Sequence, residues 1–227
     1  HRRPDRMRPL LMNNLEQRQR SFPPQEPSGL LNTEGAKWWR TVCQITPNIY
    51  LSGDLPHGER ALPHLRTWIE DHGITHILDV REEYSDEALV AKAYPDVGYV
   101  YLGTHDNGGH QDPAWFHAGW DAYKAIIDEN PTARVMVNCH MGINRAPSMV
   151  FYLMLMEGYG TTQALTMIRN NRPIAACFYA ESAWETYFKV EPENADEDGD
   201  LLIECFFFEN DIDLHKVIHE IRQVEYL

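Results

Sequence analysis

The segment Val135–Gly158, VMVNCHMGINRAPSMVFYLMLMEG, decides how the rest of the chain is interpreted. Its first apolar run ends at Cys139, a short loop follows, and Arg145 opens a second apolar run of helix length. A strand that passes through a loop into a helix points backbone N–H groups and the positive end of the helix dipole toward one place. The segment therefore predicts an anion-binding loop between a buried strand and a buried helix.

The residues of this loop match the chemistry of phosphate. Gly142 permits the backbone conformation that such a turn needs, and the planar guanidinium of Arg145 can bind two oxygens of a tetrahedral anion. We expect the same positive surroundings to lower the pKa of Cys139, which would supply a thiolate near neutral pH. A thiolate beneath a bound phosphate can attack phosphorus in line, so the loop predicts phosphoryl transfer. The alternative interpretation is a buried structural cysteine at a strand end.

Phosphoryl transfer from an ester also needs an acid that protonates the leaving oxygen. The segment VYLGTHDNGGHQDPAWF, residues 100–116, places a polar, glycine-rich loop after an apolar strand. In a parallel sheet this loop would lie at the same edge as Cys139, which makes Asp106 the candidate acid. Asp112 is the second candidate, although Asp-Pro at a helix start is typical of an N-cap followed by proline.

Segments of strand and helix length alternate along the chain around these two loops. Strands are predicted at residues 49–51, 75–80, 97–102 and 134–138, and helices at 62–71, 85–94, 113–130, 149–156, 162–171 and 181–190. Such alternation predicts an α/β fold with a central, mostly parallel sheet flanked by helices. Ligands of these sheets bind where strands end and loops begin, which is where Cys139 lies.

The chain divides by composition into three parts. These are a basic N-terminal arm and linker over residues 1–40, a catalytic domain over 41–190, and an acidic linker with a C-terminal extension over 191–227. Within the extension, the apolar run LLIECFFF at 201–208 predicts a strand, and residues 211–224 have the pattern of a helix.

Charge is unevenly distributed over the 227 residues, whose formal net charge is −14. Residues 1–40 carry eight Lys and Arg against four Asp and Glu, while the remainder carries twelve against thirty. An acidic body argues against a nucleic-acid-binding protein, which needs a surface that neutralises phosphates. The basic arm is expected to dock onto the acidic body or to bind an anionic partner.

Cysteine spacing and hydropathy bear on location. The four cysteines lie far apart without a CxxC pair, which favours free thiols in a reducing compartment, so we expect a cytoplasmic protein. No apolar run reaches the roughly 18 residues that a membrane-spanning helix needs, and no membrane span is predicted.

A cysteine and an arginine six residues apart after an apolar strand, with an aspartate about thirty residues upstream, resemble the protein-tyrosine-phosphatase superfamily. The closer resemblance is to the dual-specificity phosphatases, and it extends over residues 43–190. Three further segments carry it, namely ITPNIYLSGDLP from residue 45, ITHILDVREE from residue 74, and MIRNNRPIAACFYAESAWETYF from residue 167.

The resemblance implies a role for each residue of the site. Cys139 would be the nucleophile, and Asp106 would act first as acid and then as base. The implied phosphate-binding residues are His140, Met141, Gly142, Ile143, Asn144 and Arg145. No metal or other cofactor is implied, and the expected substrate is a phosphorylated protein.

The sequence departs from the family pattern at three places. Asn138 replaces the usual histidine before the nucleophile, so the thiolate is expected to be less stabilised. Ala146 replaces the usual serine or threonine after the arginine, and the nearby Ser148 is expected to face elsewhere, so breakdown of a phosphocysteine is expected to be slow. The usual Pro-Asn pair is absent after RPIAAC, so that end of the site is expected to be built differently.

Other functions fit part of the pattern. Asn138 and Ala146 also suit a phosphate-binding module that lacks turnover, and a lipid or RNA phosphatase could use the same fold. The loop lacks the lysine that phosphoinositide phosphatases commonly use, which favours a protein substrate. A rhodanese-type sulfurtransferase would need no acid loop. A metal site is not favoured because the candidate ligands lack a compact pattern such as HExxH; they are His105, His110, His117 and His140.

Overall fold

The structure, a computed structural model, describes residues 38–225. Nearly all of the predicted basic arm therefore lies outside the described residues, and the expectation that it docks or binds a partner stays a prediction. Within the described part the chain opens with a short 3-10 turn, Trp38–Arg40. No helix of this part is both long and apolar enough to cross a bilayer.

Five strands of the described residues form one sheet in the order β1-β2-β5-β3-β4. They are β1 Cys43–Gln44, β2 Ile49–Ser52, β3 His76–Arg81, β4 Gly98–Thr104 and β5 Val135–Asn138. Strands β2, β5, β3 and β4 are parallel, and only β1 is antiparallel to its neighbour. The predicted α/β fold with a mostly parallel sheet is confirmed.

The register of the sheet sets the place of the predicted loop. Asn138, the last residue of β5, is aligned with Ser52 of β2 on one side and Asp79 of β3 on the other. Cys139 therefore emerges between two neighbouring strands that end at nearly the same level. This position lies at the carboxyl edge, where parallel sheets bind their ligands.

Helices cover both faces of the sheet. They are α1 Ala61–Arg66 with a π-helical continuation Thr67–Asp71, α2 Glu87–Ala93, α3 Pro113–Glu129, α4 Arg145–Met156, α5 Thr161–Asn171, α6 Ala180–Val190, α7 Gly199–Glu209 and α8 Leu214–Glu225. On one face α1 and α2 bury Leu65, Trp68 and Val90 against Met136 of β5. The opposite face carries α4, against which Val135 and Val137 pack.

Helix α4 is the centre of the larger core. Its residues from Arg145 to Leu155 are all buried, as the all-round apolar pattern of 149–156 predicts. It packs against α3, α5 and α6 and against the central strands. Because α4 starts at Arg145, the packing of this helix fixes the position of the predicted anion-binding loop.

The prediction of a strand at residues 201–208 is wrong. These residues lie in helix α7, and the C-terminal extension is therefore a pair of helices. Ile203 and Phe206, three residues apart, share the helix face that packs into the core beside α5 and α6. A continuous apolar run has no period that separates a strand from a helix, so only the packing partners decide between them.

The burial of α4 gives a test of the fold. Phe151→Ala is expected to lower the free energy of unfolding by about 3–5 kcal/mol, because it leaves a cavity in a fully buried site. The matched control is Phe208→Ala on α7, where the ring is 88% exposed and its loss should have little effect. Urea unfolding of both variants measures the difference, and similar losses for the two would contradict the placement of α4.

Candidate active site

Cys139 follows β5 directly and faces the amino end of α4. The residue is 2% exposed, and the backbone N–H groups of Gly142 and Ala146 donate hydrogen bonds to its sulfur. The loop between β5 and α4 thus curls around the thiol with N–H groups turned inward. This is the arrangement that the sequence predicts for binding an anion.

Position 142 requires a glycine, both because of its backbone conformation and because there is no space for a side chain. Its φ is +65°, and a Cβ at this position would lie 2.4 Å from Nη2 of Arg172 and 2.7 Å from the carbonyl oxygen of Ser52. Behind the loop the buried guanidinium of Arg172 donates from Nε to the Gly142 carbonyl at 2.7 Å and from Nη2 to the Met141 carbonyl at 3.1 Å. Because Arg172 holds these two carbonyls away from the thiol, the N–H groups of the loop can point toward the Cys139 sulfur.

Arg145 is held in place by a carboxylate that the sequence analysis missed. Nη1 and Nη2 donate to the two carboxylate oxygens of Glu83 at 2.9 and 2.6 Å, and Nη1 also donates to the carbonyl of Thr104 at 3.1 Å. Glu83 follows the end of β3, so the strand-end rule that selects Asp106 would also have found it. Nε of Arg145 has no hydrogen-bond partner among the described residues, and it lies 3.5 Å from Oδ2 of Asp106.

Arg81 anchors the turn that carries Glu83. Its buried guanidinium lies 2.9 Å from Oδ2 of Asp79, hydrogen-bonds Asp86, and stacks over the ring of Tyr84 with Cζ 4.0 Å from the centroid. Partial burial acts to raise the pKa of Glu83, but the hydrogen bonds and positive charge of Arg145, together with a backbone hydrogen bond and the nearby His140, outweigh it and hold the pKa below its ordinary value. Glu83 is therefore a carboxylate at neutral pH.

The expectation that the loop lowers the pKa of Cys139 is wrong. Burial raises the pKa of this thiol above its ordinary value, although Arg145 and the N–H groups of Gly142 and Ala146 act in the opposite direction. The negative charge of Asp106 adds to the rise. The sequence pattern specifies the positive groups but not the burial, nor the carboxylates that surround Arg145.

Asp106 and Asp112 lie in different environments. The carboxylate of Asp106 reaches the loop, where Oδ1 accepts hydrogen bonds from Nδ2 of Asn144 at 2.7 Å and from the hydroxyl of Tyr179 at 2.9 Å. Oδ1 of Asp112 instead accepts from the backbone N–H of Ala114 at 2.9 Å, so Asp112 caps helix α3 as predicted. Of the two candidates, the structure brings only Asp106 close to Arg145.

The other loop residues present backbone rather than charged side chains. The ring of His140 turns toward Asp54, with Nδ1 2.7 Å from Oδ2, and Asp54 is fully buried beside Arg40. Ile143 and Asn144 are buried, and Met141 is half-buried. Asn144 carries a second contact, since its Oδ1 accepts from the backbone N–H of Phe178 at 2.6 Å.

The departures from the family pattern have visible structural counterparts. Oδ1 of Asn138 is buried without a hydrogen-bond partner among the described residues. Ala146 contributes its backbone N–H to the sulfur and has no hydroxyl to add. Ser148 faces elsewhere as expected, since its Oγ accepts from the N–H of Tyr179 at 3.3 Å. In place of a Pro-Asn pair, Cys177 adopts a φ of +53° before Phe178.

The histidines that the sequence analysis considers as metal ligands, and does not favour, have separate surroundings. His110 lies 3.2 Å from Oγ of Ser182, and His117 lies 3.2 Å from the hydroxyl of Tyr152, while His140 contacts Asp54. Within residues 38–225 no group of three or more His, Cys, Asp or Glu side chains is arranged to hold a metal ion.

No protein-family model matches the sequence. The structure is nevertheless similar to that of PTPMT1, with a TM-score of 0.55 and 20% identity over 67% of this chain and 98% of that chain. A mouse putative dual specificity phosphatase complexed with zinc tungstate gives a TM-score of 0.55 and 17% identity over 71% of this chain and 94% of its own. Human DUSP28 gives a TM-score of 0.50 and 19% identity over 67% and 93%. The chain has the fold of these phosphatases, as its sequence predicts.

The geometry at Gly142 leads to a binding test. Gly142→Ala is expected to abolish protection of Cys139 by inorganic phosphate, because the added methyl group collides with Arg172 and Ser52 behind the loop. The measurement is the rate of iodoacetamide alkylation of Cys139 with and without phosphate. Gly160→Ala is the matched control, since no atom lies closer than 4.0 Å to a Cβ there, and it should keep full protection.

The charges around Cys139 give a pH prediction. The alkylation midpoint of the unmodified protein without phosphate is expected above that of an ordinary thiol, about 8.5. Asp106→Asn should move the midpoint down, because the lost negative charge is one that raises the pKa of Cys139, and Arg145→Ala should move it up. Asp112→Asn, at the helix cap, should leave it unchanged. An alkylation midpoint that is the same in Asp106→Asn as in the unmodified protein would show that the charge of Asp106 does not raise the pKa of Cys139.

Proposed function

We propose that this chain is a cysteine-dependent phosphatase that hydrolyses phosphomonoesters through a phosphocysteine intermediate. Cys139 is the nucleophile, Arg145 and the N–H groups of residues 140–145 bind the phosphate, and Asp106 is the acid and then the base. One observation carries the proposal. The backbone N–H groups of Gly142 and Ala146 donate to the Cys139 sulfur at the start of helix α4, and Arg145 of that helix has Nε 3.5 Å from Oδ2 of Asp106.

In the first step the thiolate of Cys139 attacks phosphorus opposite the ester oxygen. The S–P bond forms and the P–O bond breaks, while the protonated Asp106 gives its proton to the departing alcohol or phenol. In the second step a water molecule attacks the phosphocysteine, and the Asp106 carboxylate takes its proton. The S–P bond then breaks, which releases inorganic phosphate and restores the thiolate.

Glu83 prepares Arg145 for this reaction. Because its two carboxylate oxygens fix both Nη atoms, the plane of the guanidinium is set before a phosphate binds. The Nε proton and the second proton of Nη2 are then available to phosphate oxygens. Because Glu83 and Asp106 already offset much of the positive charge of Arg145, the arginine balances the negative charge of a bound phosphate only in part, and the inward N–H groups must supply the rest of the stabilisation.

A protein phosphoester is the proposed substrate. The loop side chains supply no lysine, and the acidic body gives no long-range attraction to a polyphosphorylated lipid or RNA. Phe178, whose N–H bonds to Asn144 of the loop, is mostly exposed and offers an apolar contact to residues beside a phosphorylated side chain. A thiolate nucleophile must stay reduced, so the proposal includes a reducing compartment such as the cytoplasm.

A phosphate-binding module without turnover is the second candidate. It is favoured by the absence of a hydroxyl at Ala146 and by burial, which raises the pKa of Cys139. Such a protein would be phosphorylated on Cys139 once and then release phosphate slowly. A burst of one product per chain without steady turnover would identify it.

The test of the proposed function is steady hydrolysis of a small aryl phosphate by the purified chain without added metal. Cys139→Ser is expected to abolish turnover because it removes the nucleophile. Asp106→Asn should lower kcat by about 100-fold or more, since general acids contribute that much to such reactions. Asp112→Asn serves as the control and should keep its rate. Turnover that survives Cys139→Ser would exclude the proposed mechanism.

A further inference from the structure

The acid loop, residues 105–111, contacts the anion-binding loop in the substrate-free structure, where Asn144 hydrogen-bonds Asp106. Gln111 fixes its two ends, because the buried side chain donates from Nε2 to the carbonyl of His105 at 2.8 Å and accepts from the hydroxyl of Thr104 at 2.8 Å. Oγ of Ser182 on α6 lies 3.4 Å from the Gln111 backbone nitrogen, which donates to it. These contacts hold the ends of the loop but leave the Asp106 side chain itself to other partners.

Tyr179 holds the middle of the acid loop. Its hydroxyl donates to Oδ1 of Asp106 at 2.9 Å and accepts from the backbone N–H of Gly108 at 3.0 Å. The residue is buried just before α6, and its own N–H donates to Ser148 of α4. Burial and the nearby carboxylate raise the pKa of Tyr179, so the hydroxyl keeps its proton and can donate at neutral pH.

Asn144 makes the second connection to the same oxygen. Nδ2 donates to Oδ1 of Asp106 at 2.7 Å, while Oδ1 of Asn144 accepts from the N–H of Phe178 at 2.6 Å. That backbone bond orients the amide group, since a reversed amide would place two donors together. Asn144 immediately precedes Arg145, so the acid is tied to the phosphate-binding loop one residue from its arginine.

We propose that Tyr179 and Asn144 are positioning residues that hold Asp106 in its working place before substrate binds and leave Oδ2 to carry the transferable proton. Oδ1 already accepts two hydrogen bonds, so a proton on Oδ1 would displace a donor, whereas Oδ2 faces the guanidinium edge of Arg145. The inference rests on the proposed phosphatase function. It assigns to this chain an acid loop that needs no closing movement.

The leaving group separates this role from a merely structural one. A phenol of high pKa needs the proton from Asp106, whereas a dinitrophenolate departs without one. Tyr179→Phe removes only the hydroxyl and keeps the buried ring. We expect it to lower kcat about 10-fold for phenyl phosphate, the effect of one lost hydrogen bond to a charged group, and less than 2-fold for 2,4-dinitrophenyl phosphate. KM should stay the same for both esters, because the phosphate contacts remain.

Three comparisons complete the experiment. Tyr187→Phe, at a buried tyrosine of helix α6, which follows Tyr179, should behave like the unmodified protein. Asn144→Ala should repeat the leaving-group dependence of Tyr179→Phe, which provides a second variant if the first does not fold. In an Asp106→Ala background, Tyr179→Phe should have no further effect, because the group that it positions is gone.

The proposal is overturned if Tyr179→Phe slows both esters equally, if it slows the Asp106→Ala protein further, or if it changes neither rate. Absence of turnover in the unmodified protein would instead overturn the proposed function and, with it, the assignment of Asp106 as an acid. Amide hydrogen exchange at Gly108 gives a readout that needs no turnover. It should accelerate in Tyr179→Phe and not in Tyr187→Phe, and unchanged exchange would show that the hydroxyl does not hold the loop.

Discussion

The buried guanidinium of Arg172 makes the hydrogen bonds on which the predicted anion-binding loop depends. It donates to the carbonyls of Met141 and Gly142 in the loop and to those of Trp39 and Thr41 at the start of the described chain. A buried charge is tolerated only when hydrogen bonds replace its lost hydration, and these carbonyls provide them. In return, the loop carbonyls point outward and its N–H groups point toward the thiol. One side chain thus joins the end of α5, the first strand region and the anion-binding loop.

In the proposed function, an acidic protein binds an anion. The net charge of −14 acts at long range, whereas binding of a phosphate depends on the few donors within hydrogen-bond distance. Two carboxylates flank Arg145: Glu83 holds it by two hydrogen bonds, and Asp106 lies 3.5 Å from its Nε. Burial raises the pKa of Cys139, and the negative charge of Asp106 adds to the rise. The carboxylate of Asp106 beside the arginine therefore disfavours the thiolate in the substrate-free protein.

Much of the fold and the main chemical groups could be predicted from the sequence because their signals are local. A strand, a loop with Gly142 and a helix follow one another in a single segment, and their order along the chain already places Cys139 and Arg145 together. The Asp-Pro pair at residue 112 predicts a helix cap, and that cap separates Asp112 from Asp106 as candidates. Alternation of strands and helices leads to a parallel sheet because crossover connections leave few other arrangements.

The remaining features depend on residues that are distant in sequence. Glu83 meets Arg145 across 62 positions, and Tyr179 meets Asp106 across 73, so no local spacing could reveal either pair. The apolar run at 201–208 became a helix because of the surfaces that it packs against, and burial rather than composition raised the pKa of Cys139. The sequence by itself determined the order of elements and the candidates for the reactive groups, since these follow from short-range patterns. Only the tertiary structure decided their orientation, partners and protonation, because those depend on strand register and on exclusion of water.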